Sequence, residues 1–151
     1  MEMIIDGFKD GGLIPKRNTC DGPGLSPEIS WKGIPPGAKS LALLMDDPDA
    51  PRGLFTHWII WNIPVSAFRL PAGTARKAEL PNGMMQGVNS GGAYGYYPSC
   101  PPPGSVHHYR YRLMALDAVP VLNPGAGREQ FDRAVSGHVL AEVLVTGLYS
   151  R

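Results

Sequence analysis

Nineteen glycines and sixteen prolines punctuate the whole length of this 151-residue chain, about twice the usual share of these two residues. Proline ends helices and cannot donate to a strand ladder, and glycine weakens any regular element. A helical bundle or a coiled coil is incompatible with that spacing. Disorder is excluded as well, because 43% of the residues are hydrophobic and only 18% are charged. The pattern predicts a mostly β chain of short strands joined by shaped loops. No repeat, charge block or flexible linker divides it, so residues 1–151 read as a single domain, and a chain of this size can bury about two-thirds of its unfolded surface.

Three segments carry the strand signal. Ser40–Met45 (SLALLM) is a continuous apolar run of strand length, expected at the centre of a sheet with both faces covered. Thr56–Asn62 (THWIIWN) is rich in aromatic and β-branched residues. Tyr109–Leu116 (YRYRLMAL) alternates and then turns wholly apolar, as a strand does on entering a core. A shorter strand is expected around Glu28–Trp31. Gly127–Val135 places Phe131, Ala134 and Val135 on one helical face, which predicts a helix. A turn over Ser136–Val139 and a last strand from about residue 142 follow.

Fourteen basic against thirteen acidic residues leave a net charge of +1, so no electrostatic footprint for nucleic acid or an anionic membrane is present. The opening MEMIIDGFKDGG lacks a basic region followed by an apolar stretch, and no apolar run approaches a membrane span. A cytoplasmic location follows as the expectation. With it comes the expectation that Cys20 and Cys100 are reduced thiols, although their distant spacing leaves open whether they pair.

Four clusters can carry chemistry: Asp46-Asp47-Pro48-Asp49-Ala50-Pro51, His57-Trp58, Cys100-Pro101-Pro102-Pro103-Gly104 and His107-His108-Tyr109. Each stands at a strand end or in a proline-stiffened loop, where a rigid sheet presents side chains to a common cavity. Taken singly, each has a plain structural explanation: a turn, a buried histidine, a stiff exposed loop, a solvated pair. Alternation places His107 and His108 on opposite faces, so only one points inward. Ala50–Pro51 is a candidate cis peptide. Together, two carboxylates, two imidazoles and a phenol suit a phosphate or carboxylate ligand, whose oxygens accept hydrogen bonds from imidazolium, phenol and main-chain N–H groups.

Two other chemistries fit the same residues. Cys100 with His107, or an Asp–His pair activating water, would make a hydrolase; no nucleophile elbow supports it. Two Asp and two His would ligate zinc or iron, but their spacing matches no familiar metal motif.

DDPDAPRGLFTHWIIWNIP followed by CPPPGSVHHYRYRLMALD resembles the phosphatidylethanolamine-binding protein family, the Raf kinase inhibitor-like proteins, in its compact bacterial and archaeal branch. The likeness runs nearly end to end, through IPKRNTCDGPGLSPEISWKGIPPGAKSLAL and GHVLAEVLVTGLYSR. It implies an antiparallel central sheet packed on a smaller sheet, a helix near the C-terminus and an anion pocket at one end of the sheet. It implies Asp47, Asp49, His57, Cys100, Pro101, His107 and Tyr109 as ligand-binding residues, with Tyr96 at an aromatic position four residues before Cys100. It also implies a non-catalytic binding protein with no cofactor and no metal. The implied ligand is a phosphate, a phospholipid headgroup or a phosphorylated side chain, and a kinase or a protease is the implied protein target. Compact members often pair as homodimers, so a homodimer is an expected form, although no segment marks an interface. Two positions depart from the family. Pro98-Ser99 stands where Gly-Pro is usual, which predicts a narrowed pocket rim, and His108 replaces a common Arg, which predicts a surface effect.

Overall fold

The apolar runs pair into two antiparallel sheets in the computed structural model, which describes residues 1–151. The strands are β1 (Glu2–Ile5), β2 (Ile29–Lys32), β3 (Ser40–Asp47), β4 (Phe55–Ile63), β5 (Arg69–Leu70), β6 (Met85–Gln86), β7 (Val106–Leu116) and β8 (Val139–Ser150), with one α-helix, α1 (Arg128–Val135), before the last of them. The smaller sheet has the order β1-β2-β5 and the larger β6-β4-β3-β7-β8. No helix is long and apolar enough to cross a membrane.

Strand β3 explains the architecture. All eight of its residues are buried, so each face of the large sheet needs its own cover. On one face Leu41, Leu43 and Met45 join Trp58, Ile60 and Tyr111 and meet Met3, Ile29, Trp31 and Leu70 of the small sheet. On the other, Ala42 and Leu44 join Ile59, Trp61 and Met114, and Phe131 and Val135 of α1 close over them. Burying each such large apolar side chain stabilises the fold by about 1.5–3 kcal/mol. Trp58 and Trp61, both fully buried, anchor opposite faces from a single strand.

The strand pairings bring three segments to one end of the sheet. Asp46 of β3 lies opposite Arg110 of β7 on one side and Thr56 of β4 on the other. Between β3 and β4 the register shifts from Met45–Trp58 to Asp46–Thr56, which leaves His57 as an extra residue in β4. Such a bulge breaks strict alternation and re-aims a side chain.

The C-terminal segment differs from expectation at its boundaries. The helix begins at Arg128, with the Gly127 N–H donating to Gln130 Oε1 at 3.1 Å. The final strand starts at Val139 instead of residue 142, because Gly137 turns the chain at φ +79° and Val139 already pairs with Leu116. His138 falls in that tight turn, 2.7 Å from Asp117. The Ala50–Pro51 peptide is trans, as are all the others; its turn is closed by the Gly53 N–H donating to the Ala50 carbonyl at 3.0 Å.

Candidate functional site

The strand ends enclose a cavity of about 210 Å³, smaller than the roughly 300–1,000 Å³ typical of sites for drug-sized ligands and suited to a compact group. Asp47 from β3, His57 from the β4 bulge, and His107 and Tyr109 from β7 supply its polar lining. All four are buried. Phe55, Ala50, Pro51, Tyr97, Cys100 and Pro102 complete the wall.

Each histidine is tethered through Nδ1. His107 Nδ1 donates to Asp47 Oδ2 at 2.7 Å, and His57 Nδ1 lies 2.7 Å from the Tyr97 carbonyl oxygen. A carbonyl only accepts, so Nδ1 of His57 carries the proton. Burial pushes the His57 imidazole down from its ordinary value, outweighing the Tyr97 hydrogen bond and the attraction of Asp47. The neutral ring therefore presents the lone pair of Nε2. Neither Nε2 has a protein partner, and neither is sealed from solvent, so both open to the cavity. The ring of His57 is set between Phe55, at 4.7 Å, and the edge of Tyr109, at 5.2 Å. The Tyr109 phenol is pushed up, first by burial and then by the Asp47 charge, so it keeps its proton as a donor.

The Asp47 carboxylate is occupied within the protein: Oδ2 accepts from His107 and Oδ1 accepts the Asp49 N–H at 2.8 Å. Asp49 does not join it at the cavity. Its side chain turns outward across β7, where Oδ2 accepts the His108 N–H at 2.8 Å and His108 Nδ1 at 2.7 Å. The His108 ring and then its backbone N–H hold the Asp49 carboxyl below the usual carboxylate range. The expectation of two pocket carboxylates is thus corrected to one. The proline that opens a tight turn after Asp47 sends the following acid to the other side of the strand, where His108 captures it. No grouping of three or more His, Cys, Asp or Glu side chains is arranged to hold a metal.

On the far face, Asp46 is buried and accepts Arg110 Nε at 2.7 Å and Arg128 Nη1 at 3.0 Å. The same Arg128 Nη1 donates to Thr56 Oγ1 at 3.1 Å. Helix α1 is thereby fastened to the two residues that precede Asp47 and His57 in the chain.

The facing wall departs from expectation in three ways. Cys100 and Cys20 form a disulfide, with no free cysteine left, so the reduced-thiol expectation is overturned: the loops carrying them run side by side, with the Cys20 N–H donating to the Ser99 carbonyl at 3.1 Å. Closing 80 residues of sequence contributes about 4–5 kcal/mol in the loop-entropy account. It also removes the Cys100 thiolate a hydrolase would need, and no free Ser, Thr or Cys lines the cavity. Second, Pro102 lines the cavity where Pro101 was expected, because Pro101 is buried behind the rim. Third, Pro98 and Ser99 do not narrow the rim. Pro98 packs on Gly24, where a β-carbon would lie 2.7 Å from its ring, and Ser99 is fully buried. Tyr96 also faces inward, its hydroxyl donating to the Asn18 carbonyl at 2.6 Å; burial pushes its phenol up to about 12.

Tyr97 and Phe55, not singled out from the sequence, line the cavity. Tyr97 holds the His57 strand edge through its N–H, which donates to the His57 carbonyl at 2.9 Å. The aromatic pair Tyr96-Tyr97 before the Cys-Pro run was the available signal.

The family profile described as phosphatidylethanolamine-binding protein matches residues 5–150. A UPF0098 protein of Methanothermobacter thermautotrophicus is 49% identical over 151 residues, covering 100% of this chain and 99% of the relative. A UPF0098 protein of Pyrococcus abyssi is 43% identical over 154 residues, covering 100% of this chain and 86% of the relative. Among solved structures, YbcL of E. coli, described as a new member of the mammalian PEBP family, superposes with a TM-score of 0.92 at 29% identity, over 99% of this chain and 98% of that one. A phosphatidylethanolamine-binding protein homologue from Chlamydia trachomatis superposes with a TM-score of 0.89 at 36% identity, over 99% and 96%. With its two antiparallel sheets and its single helix before the last strand, this chain belongs to the phosphatidylethanolamine-binding protein family, in its bacterial and archaeal branch.

Proposed function

We propose that the cavity binds the phosphate group of a phosphomonoester in its singly protonated form, and that the protein holds this ligand without transforming it. The observation that carries the reading is the tethering of both imidazoles through Nδ1, which leaves two Nε2 atoms and the Tyr109 hydroxyl open to the same small space. A neutral His57 accepts at Nε2, so it matches a P–O–H group. Tyr109 and His107 donate to the unprotonated oxygens. Asp47, with both oxygens occupied, orients His107 and does not repel the anion by direct contact.

The ligand can come from a small metabolite or from a phosphorylated side chain, and a kinase or protease partner would be engaged through the latter. A phosphodiester headgroup lacks the P–O–H that His57 matches and binds more weakly. Titration of the full chain with inorganic phosphate, phosphoserine and glycerophosphoethanolamine, followed by amide chemical shifts, tests this. Binding of phosphoserine should strengthen from pH 8 to pH 6, across its phosphate ionisation near about 6, whereas inorganic phosphate carries a P–O–H group throughout that range. His107→Ala should weaken it about tenfold, the loss of one charge-assisted hydrogen bond. Absence of saturable binding at millimolar phosphate, or a preference for the diester, would sink the reading.

A further inference from the structure

The Cys20–Cys100 bridge differs from a buried structural cystine in where it lies. Both cysteines are exposed, and Cys100 lines the cavity. Its N–H stands near the Tyr109 phenol, so the bridged residue touches the group that faces the ligand.

The wall that follows makes no long-range backbone-to-backbone hydrogen bond before Gly104. Pro101, Pro102 and Pro103 carry no N–H to donate. Between Cys100 and Pro103 the only backbone-to-backbone hydrogen bond is local, from the Ser105 N–H to the Pro102 carbonyl, which also accepts from the Ser105 hydroxyl. Anchorage resumes at Gly104, whose N–H donates to the Arg151 carbonyl at 3.2 Å. On the near side, residues 96–99 are held without the bridge: Tyr96 bonds the Asn18 carbonyl and Ser99 accepts from Cys20. The partner loop is fixed independently, because Asp21 accepts from the Tyr149 hydroxyl and from Arg151 Nε. The disulfide therefore fastens to an anchored loop a stiff proline panel whose own backbone is bonded only locally, at Pro102.

We infer that Cys20–Cys100 is a thiol–disulfide exchange site whose redox state sets the hold of the cavity on its ligand, a reading that rests on the cavity being an anion site. The reductant is a dithiol. One of its thiolates attacks a cystine sulfur and forms a mixed disulfide, and its second thiolate then releases the remaining cysteine. The reagent leaves as its own disulfide, while two electrons and two protons convert Cys20 and Cys100 to thiols. Exposed bridges are the ones open to such attack. Release lets the panel pivot between Ser99 and Gly104, and a site that is less preorganised binds more weakly.

The test uses the full chain purified without reductant, with inorganic phosphate as the probe and thiol titration to verify each state. Excess dithiothreitol should yield two thiols in the folded protein and weaken phosphate binding about tenfold. Cys20→Ser, which leaves the cavity lining intact, should match the reduced protein and be insensitive to reductant. Amide exchange at Cys100, Gly104 and Ser105 should quicken on reduction, while Leu43 and Ile60 in the core stay protected. Resistance of the native bridge to dithiothreitol, equal phosphate affinity in the two states, or unfolding of the core on reduction would each overturn the inference. If phosphate fails to bind in either state, the anion reading fails, and amide exchange decides the exchange site alone: unchanged rates at Cys100 and Gly104 overturn it.

Discussion

Two Asp–His pairs stand back to back across β7. Asp47–His107 and Asp49–His108 have the same oxygen–nitrogen distance, 2.7 Å, yet the side chains of the first pair are 5% and 6% exposed and those of the second 39% and 56%. The residues alternate along the chain, so the strand itself sorts them. In the inner pair ring and carboxylate are largely removed from water, and the carboxylate is the one protein partner of the ring. In the outer pair water competes for every contact. Chemistry that looks duplicated in sequence is divided by the pleat into a positioning device inside and a surface clamp outside.

The largest effect should come from Asp47→Ala. It leaves His107 buried without an acceptor, and loss of one partner from a buried pair typically costs about 3 kcal/mol; urea unfolding at pH 7 measures it. A loss near that of the outer pair would erase the distinction between them.

A middle effect belongs to His57, the buried ring with no carboxylate partner. Its folded-state value lies below its ordinary one, so the unfolded chain binds more protons between that lowered value and about 6.5. Stability therefore falls as pH drops below about 6.5, by at most about 1.4 kcal/mol per pH unit for one proton. His57→Gln should flatten this part of the profile of melting temperature against pH, and an unchanged profile would assign the acid sensitivity elsewhere.

The smallest effect should come from Asp49→Ala, within about 1 kcal/mol for an exposed pair. It should shrink further in 1 M salt, where the Debye length falls to about 3 Å, while the Asp47→Ala loss persists. Parallel unfolding series at low and high salt would sharpen or break the contrast between the two pairs.

Much of the fold was legible because apolar runs long enough to need two covers announce themselves. Ser40–Met45 became the central strand, and Gly127–Val135 the helix that covers one of its faces. Of the small sheet only its middle strand, expected around Glu28–Trp31, was legible in the residues; its pairing into a sheet came through the family resemblance, since β5 is two residues long and carries no period to read. At the site, His107, His108 and Tyr109 sort as alternation predicts. His57 does not. Counting back by twos from Trp58 and Ile60 puts Thr56 on the cavity side and His57 on the helix side, and the bulge exchanges them. Asp49 was placed in the pocket because motif matching carries identity and not direction. The carboxylate is diverted by the His108 ring and N–H at a position where the family commonly has Arg. The disulfide was beyond reach because nothing in the spacing of Cys20 and Cys100 states that Thr19 and Ser99 lie in adjoining strands of backbone.

Arg128 touches no part of the cavity, yet it grips Asp46 and Thr56, each one peptide bond away from a cavity residue. A rotation of α1 would pull, through the Arg128 guanidinium, on Asp46 and Thr56 and so on the backbone that carries Asp47 and His57. The outer helix thus works as a mount for an optical part: its seating bears on the alignment of groups it never meets.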